Sequence, residues 1–187
     1  MSHRRLLSSV VAMPLILLLV ASCGAEGDDG GDGAPGSDEE PTELAGITKA
    51  HNDARAAVDP PAETPLEPLV WSREVSAAAQ AHAEKCVWEH SGGPYGENIF
   101  AASERASGMS AERVVGSWVS EAENYDYESD SCSGVCGHYT QVVWAASERL
   151  GCAMAKCTEG SPVGSGAWQF WVCNYDPPGN FRGRKPY

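Results

Sequence analysis

Seven cysteines are spread so unevenly along the 187-residue chain that they limit its fold before any periodicity is read. Six fall between positions 86 and 173 (Cys86, Cys132, Cys136, Cys152, Cys157 and Cys173), while Cys23 stands alone near the start. An even set within one stretch reads as a disulfide framework, and disulfides persist in oxidising compartments. The fold must therefore bring distant strands of chain within bonding reach of one another. Cys23 is the odd thiol and needs a use of its own.

That use is suggested by what precedes it. Arg4 and Arg5 lead an apolar run from Leu6 to Val20, too short to span a bilayer as an ordinary helix, and the run ends in "VASC" at 20 to 23. Small residues just before a cysteine resemble the lipobox of exported bacterial lipoproteins, in which the cysteine carries lipid on sulfur and becomes the new amino terminus. Residues 1–22 are thus expected to be a signal peptide, with a plain leader cut nearby as the alternative. Any attachment to a membrane would run through Cys23 alone, leaving an envelope lipoprotein or an extracellular protein. Gly24 in place of aspartate after that cysteine points to the outer membrane if the host is Gram-negative.

Residues 23–41 hold six glycines, seven acids and no base, a composition that cannot form a core and reads as a solvated tether. The remainder, 42–187, is one domain of ordinary size. It carries nineteen acidic and eleven basic side chains. A nucleic-acid or anionic-membrane partner needs the opposite sign, so neither is expected, and a monomer is.

Within the domain, Thr42 is a fair N-cap for a helix whose stripe is Leu44, Ile47, His51, Ala54 and Val58. His51 on that stripe reads as a core histidine hydrogen-bonded to backbone. Four prolines between 60 and 68 precede a second, alanine-rich helix capped by Ser72 and ending near Cys86. Residues 87–98, "VWEHSGGPYGEN", read as an irregular loop presenting His90 and Glu97. Ser110 caps a third helix running to Tyr125, with Val114, Trp118 and Tyr125 as its apolar marks. Glu121 falls on the same stripe, where an ionised carboxylate must be paired or hydrogen-bonded.

Beyond "CSGVC" at 132–136 the composition turns to β. "GHYTQVVW" at 137–144 alternates as a strand and begins with His138, a second candidate working residue; 149–157 and 168–175 read as two more strands around a glycine-rich loop. In a symmetric hairpin there, Cys152 and Cys173 lie about equally far from the loop's centre, so a cross-strand bridge between them is geometrically possible.

Four strings in order, "HNDAR" (51–55), "HSGGPYGENI" (90–99), "GHYTQVVW" (137–144) and "CNYDPPGN" (173–180), resemble the CAP superfamily of cysteine-rich secretory, antigen 5 and plant pathogenesis-related class-one proteins. The plant branch is the most similar, through "CSGVCGHYTQVVW" and the ending "PY". The resemblance implies an α+β fold, a three-layer α-β-α sandwich around a central, mainly antiparallel sheet. It also implies three disulfides, Cys86 to Cys157, Cys132 to Cys136 and Cys152 to Cys173, and a cleft lined by His90, Glu97, Glu121 and His138. Such a cleft can share protons within His–Glu pairs, or His90 and His138 can hold zinc or another divalent ion weakly while Glu97 and Glu121 orient them. Two histidines are fewer than the three protein ligands usual at catalytic zinc, so no essential cofactor and no catalytic residue is assigned.

CAP proteins are associated with sterols and other lipids, so the resemblance implies a binding module for a small hydrophobic ligand, with Tyr125 and Tyr127 as bordering aromatics. A metal-assisted hydrolase using the same four residues is the alternative, although no "GxSxG", "HExxH" or spare cysteine supports it. A third reading makes the "PPGNFRGRKPY" tail a released signalling peptide, as in the plant branch.

Overall fold

The structure is a computed structural model that describes residues 39–106 and 108–187. The expected signal peptide at 1–22, Cys23 and most of the tether lie outside the described residues. No helix among the described residues is long and apolar enough to cross a membrane.

Thr42 does not cap the first helix. A 3₁₀ turn, Thr42–Leu44, comes first, and the chain then passes through Gly46, at φ 86°, into α1, Ile47–Ala56. The capping group arrives from upstream, where the Glu40 carboxylate accepts the backbone N–H groups of Gly46 and Thr48, each at 2.9 Å. An anion there satisfies orphan donors and opposes the positive end of the helix. After the two-residue strand β1, Val70–Trp71, Ser72 caps α2, Arg73–Ala83, by accepting from Val75 N at 3.4 Å.

Strand β2, Gly96–Ser103, follows, then α3, Ala111–Val119, capped by Ser110. The third helix does not run on to Tyr125. It tightens into a 3₁₀ segment, Ser120–Asn124, and Tyr125 belongs to a small hairpin of β3, Tyr125–Asp126, with β4, Ser131–Cys132. A short helix, α4, covers Gly137–Val142, and the long strands β5, Arg149–Cys157, and β6, Trp168–Asp176, complete the order.

The main sheet runs β1-β5-β6-β2, parallel only between β1 and β5. Its two faces are read directly from β6. Trp171, Cys173 and Tyr175 point into a core shared with α1, α3 and α4, while Trp168, Phe170 and Val172 meet Ala79 and Ala83 of α2 on the other side. The chain is thus an α+β, three-layer α-β-α sandwich. The alanines of α2 have a reason in geometry: at Gly151 of β5 an added Cβ would lie 2.0 Å from Ser76 N, so helix backbone and strand backbone nearly touch.

The stretch 137–144 is helix and turn, not strand. Tyr139 through Trp144 are all buried, the polar Thr140 and Gln141 included, so the alternation of polar and apolar residues carries no information about a sheet face. Its place in the sheet is taken by β2, whose first three residues were read from sequence as loop.

Three disulfides tie these elements: Cys86 to Cys157, Cys132 to Cys136 and Cys152 to Cys173. Cys152 and Cys173 sit directly opposite in the β5–β6 register, with Cα atoms 4.1 Å apart.

Candidate functional site

His51 is fully buried in α1, its Nδ1–H donating to Ile47 O at 2.7 Å and its Nε2 accepting from the Tyr175 hydroxyl at 2.8 Å. Burial holds its pKa down at about 4, so the ring is neutral and braces the core. The Tyr175 oxygen also accepts from Asn98 Nδ2 at 3.0 Å, and Asn98 Nδ2 donates to His138 O at 3.0 Å. A chain of buried hydrogen bonds thus runs from α1 through β6 and β2 to the backbone of His138.

His138 opens α4, and Glu121 in the 3₁₀ segment serves it twice. Its Oε1 accepts from His138 Nδ1 at 2.6 Å, and its Oε2 accepts the backbone N–H groups of His138 at 2.9 Å and Tyr139 at 3.3 Å. One carboxylate therefore caps the helix and fixes the imidazole. Trp118 of α3 lies nearly parallel to the ring, 20° between planes with centroids 6.2 Å apart, and is pinned by its own bond to Ile99 O. The paired carboxylate expected on this stripe is present.

The second pair is built by the loop before β2. His90 Nδ1 donates to Glu97 Oε1 at 2.8 Å, and Ser91 N donates to the same oxygen at 2.9 Å. Glu97 lies on β2, not in the loop, and only 6% of its side chain is exposed against 59% for His90. Its Oε2 is buried with no hydrogen-bond partner. Strand β2 starts where it does because Gly96 lets Gln141 of α4 pack onto it; a Cβ there would lie 2.1 Å from Gln141 Oε1. The loop is held from below by His82 of α2, whose Nε2–H donates to Glu89 O at 2.8 Å.

The four expected residues thus form two His–Glu pairs, tied through consecutive β2 residues, since Glu97 holds His90 and Asn98 holds the His138 backbone. In both pairs the carboxylate takes Nδ1–H, and no protein group among the described residues is hydrogen-bonded to either Nε2. Among the described residues no three His, Cys, Asp or Glu side chains are grouped as metal ligands. Carboxylates hydrogen-bonded behind imidazoles are the kind of support that metal-ligating histidines usually have.

The two tyrosines part company. Tyr125 lines an open groove of about 280 Å³ together with Thr140, Trp144 and the tail. Tyr127 turns to the chain's end: its hydroxyl donates to Tyr187 O, and its ring stacks on that of Tyr187 at 4.7 Å.

Sequence comparison agrees with this architecture. Residues 48–175 match CAP, the cysteine-rich secretory protein family. The chain belongs to the CAP family. It is 47% identical over 143 residues to pathogenesis-related protein 1 of Arabidopsis thaliana, an alignment covering 74% of this chain and 79% of that protein. It is 45% identical over 141 residues to peptidase inhibitor 16 of Mus musculus, but spans only 28% of that longer protein while 73% of this chain is covered. Among solved structures, NaASP2 with Zn2+ superposes at a TM-score of 0.59 and 27% identity, covering 85% of this chain and 88% of that one.

From this CAP sequence Trp118 was read only as an apolar mark of its helix, and Asn98 and His82 were not singled out. Asn98 bonds to both His138 and Tyr175, Trp118 to Ile99 and the His138 ring, and His82 to Glu89, and no local periodicity marks such roles. Only "GEN", where Asn98 adjoins Glu97, offered a signal.

Proposed function

We propose that the chain is an exported, lipid-anchored CAP module that binds its ligand without chemically altering it, and that its two His–Glu pairs hold a divalent cation such as zinc through His90 Nε2 and His138 Nε2. The observation that carries this reading is that both Nδ1 atoms are already committed to carboxylates. That commitment fixes the tautomer in which Nε2 is a ligand, and such carboxylates are worth 10- to 100-fold in metal affinity, roughly. The likeness to NaASP2 with Zn2+ supports it. When bound, the ion would supply a positive centre for an anionic or carbonyl-bearing ligand; the protein's part is to aim the rings and to keep Glu97 and Glu121 behind them. Metal-assisted hydrolysis is less favoured because a two-imidazole site lacks the third protein ligand usual at catalytic zinc.

Calorimetric titration of Zn2+ into the purified protein is the test. One ion is expected per chain, bound at least tenfold more weakly in His90→Ala and in His138→Ala. Heat that is the same in the two variants as in the parent would refute the site. A small hydrophobic ligand, sterol or other lipid, is the second reading, favoured by Tyr125, Trp144 and Phe181 sharing one groove. It requires that a fluorescent sterol be retained by the protein and lost in Tyr125→Ala. The anchor is tested separately, since Cys23→Ser should shift the protein out of the membrane fraction.

A further inference from the structure

The groove beside Tyr125 has a polar half that neither the metal site nor a lipid uses. One wall is the loop from Asp130 to Cys136, closed by its own disulfide; the other is the tail from Asn180 to Pro186. Both walls are fixed. Asn180 Nδ2 donates to Gly137 O at 2.8 Å, Thr140 Oγ1 donates to Asn180 Oδ1 at 2.7 Å, and Ala145 N donates to Pro186 O at 2.7 Å. The cleft is therefore preformed, and a ligand pays little to order it.

The tail gathers Arg182, Arg184 and Lys185 within four positions of a chain whose net charge is −13. Lys185 is occupied, 4.4 Å over the Tyr127 ring and donating to Glu128 O. Arg182 and Arg184 both line the groove, and neither takes part in the ion pairs formed among the described residues. Arg184 rests 5.5 Å over one face of the Phe181 ring, which leaves the edge of its guanidinium fork, and that of Arg182, to match a carboxylate bidentately. Phe181, on the same groove, is half exposed, its ring tilted 6.0 Å from that of Trp144.

Asp130 decides what else the ligand must carry. It lies on the same groove, with Oδ1 accepting from the Tyr125 hydroxyl at 2.8 Å, and Ser131 beside it carries a hydroxyl that shares a hydrogen bond with Ser129 Oγ at 2.8 Å. A simple polyanion would be repelled by Asp130, and a fatty chain would leave it unanswered. Hydroxyl donors would satisfy it. The chemistry that uses carboxylate receptors, hydroxyl acceptors and an apolar ring face together is an acidic sugar.

We propose that this groove binds a carboxylate-bearing oligosaccharide, the uronate held by Arg182 and Arg184, a ring face on Phe181 and ring hydroxyls on Asp130 and Ser131. A cleft of about 280 Å³ lies at the small end of ligand sites and suits one or two sugar rings better than a whole lipid. The site is independent of the His–Glu pairs.

The test titrates tetragalacturonate into the purified full-length protein in EDTA, read by tryptophan fluorescence and by calorimetry. Saturable binding is expected, weakened tenfold or more when the oligomer is fully methyl-esterified, when it is replaced by polyglutamate of equal charge, or when Arg182→Ala and Arg184→Ala are combined. Phe181→Ala and Asp130→Asn, which leave both arginines in place, should each weaken it several-fold, while Arg105→Ala should leave it unchanged. Absence of binding, equal affinity for the ester or for polyglutamate, or affinity unaltered in the arginine variant would overturn the proposal. Because EDTA is present, a failed zinc titration leaves this result standing. Equal competition by a sterol would assign the groove to lipid instead.

Discussion

Glu121 shows how one side chain can serve fold and site together. With 15% of its side chain exposed, it accepts two backbone N–H groups at the start of α4 and the imidazole of His138. Loss of a cap and of a charge-assisted bond makes Glu121→Ala costly by about 2 kcal/mol, and Glu121→Gln, which keeps an acceptor oxygen, by about half that. Urea unfolding measures both. His51 gives a pH signature of known sign. Its folded pKa, about 4, is below the 6.5 of the exposed ring, so the unfolded chain binds the proton first as pH falls. Its contribution is full above pH 6.5 and is lost progressively down to pH 4, to the extent of about 3 kcal/mol. The difference in unfolding free energy between the protein and His51→Gln should shrink across that window; a constant difference would remove the buried neutral ring from the account. Arg55 behaves otherwise. Buried without a carboxylate, it donates to the carbonyls of Glu67, Val142 and Trp144, and burial lowers its pKa only to about 10, leaving it charged.

At the scale of elements, helices announced by a cap and an alanine-rich stripe were legible, as α2 and the start of α3 show, and so were β5 and β6, bounded by their glycine-rich loop. The cross-strand position of Cys152 and Cys173 followed from the same hairpin. What failed was 137–144. From Tyr139 to Trp144 every residue is buried, polar Thr140 and Gln141 included, so no exposed face sets a period, and the helical start of the stretch depends on a carboxylate sixteen residues upstream of Gly137. Strand β2 was hidden for a related reason: it begins inside a turn-rich string, and pairing with β6 overrides local preference. All four His and Glu residues were named from the sequence, one by one and then together through the motif resemblance, but the pairing of each histidine with its own carboxylate, and the Asn98 link between them, are tertiary facts. Packing of α2 onto β5 can be tested alone. Gly151→Ala inserts a methyl group where Ser76 N is 2.0 Å away, and should destabilise by about 3 kcal/mol or more, seen as a lower urea midpoint. A neutral effect would mean that helix and strand are not so closely stacked.

For the whole molecule, the disulfides should rank by the chain they close. Cys86 to Cys157 spans 71 residues and Cys132 to Cys136 only 4. Loop-closure entropy assigns about 4 kcal/mol to the first and about 2 to the second, so paired serine variants should differ by about that margin in thermal or urea unfolding. The larger bridge links the end of α2 to the end of β5, and thereby anchors the segment that leads into the His90 loop. The cysteine framework, the sandwich and the site thus form one system, in which β2 and α4 are held so that each imidazole has its Nδ1 on a carboxylate. The imidazole nitrogens themselves report this most directly, through a long-range proton–nitrogen NMR spectrum of the ¹⁵N-labelled protein at neutral pH, before and after one equivalent of Zn2+. Both His90 and His138 should be protonated at Nδ1 and bare at Nε2, and zinc should move the two Nε2 signals together. Protonation at Nε2 in either ring, or zinc shifting one ring without the other, would contradict the account.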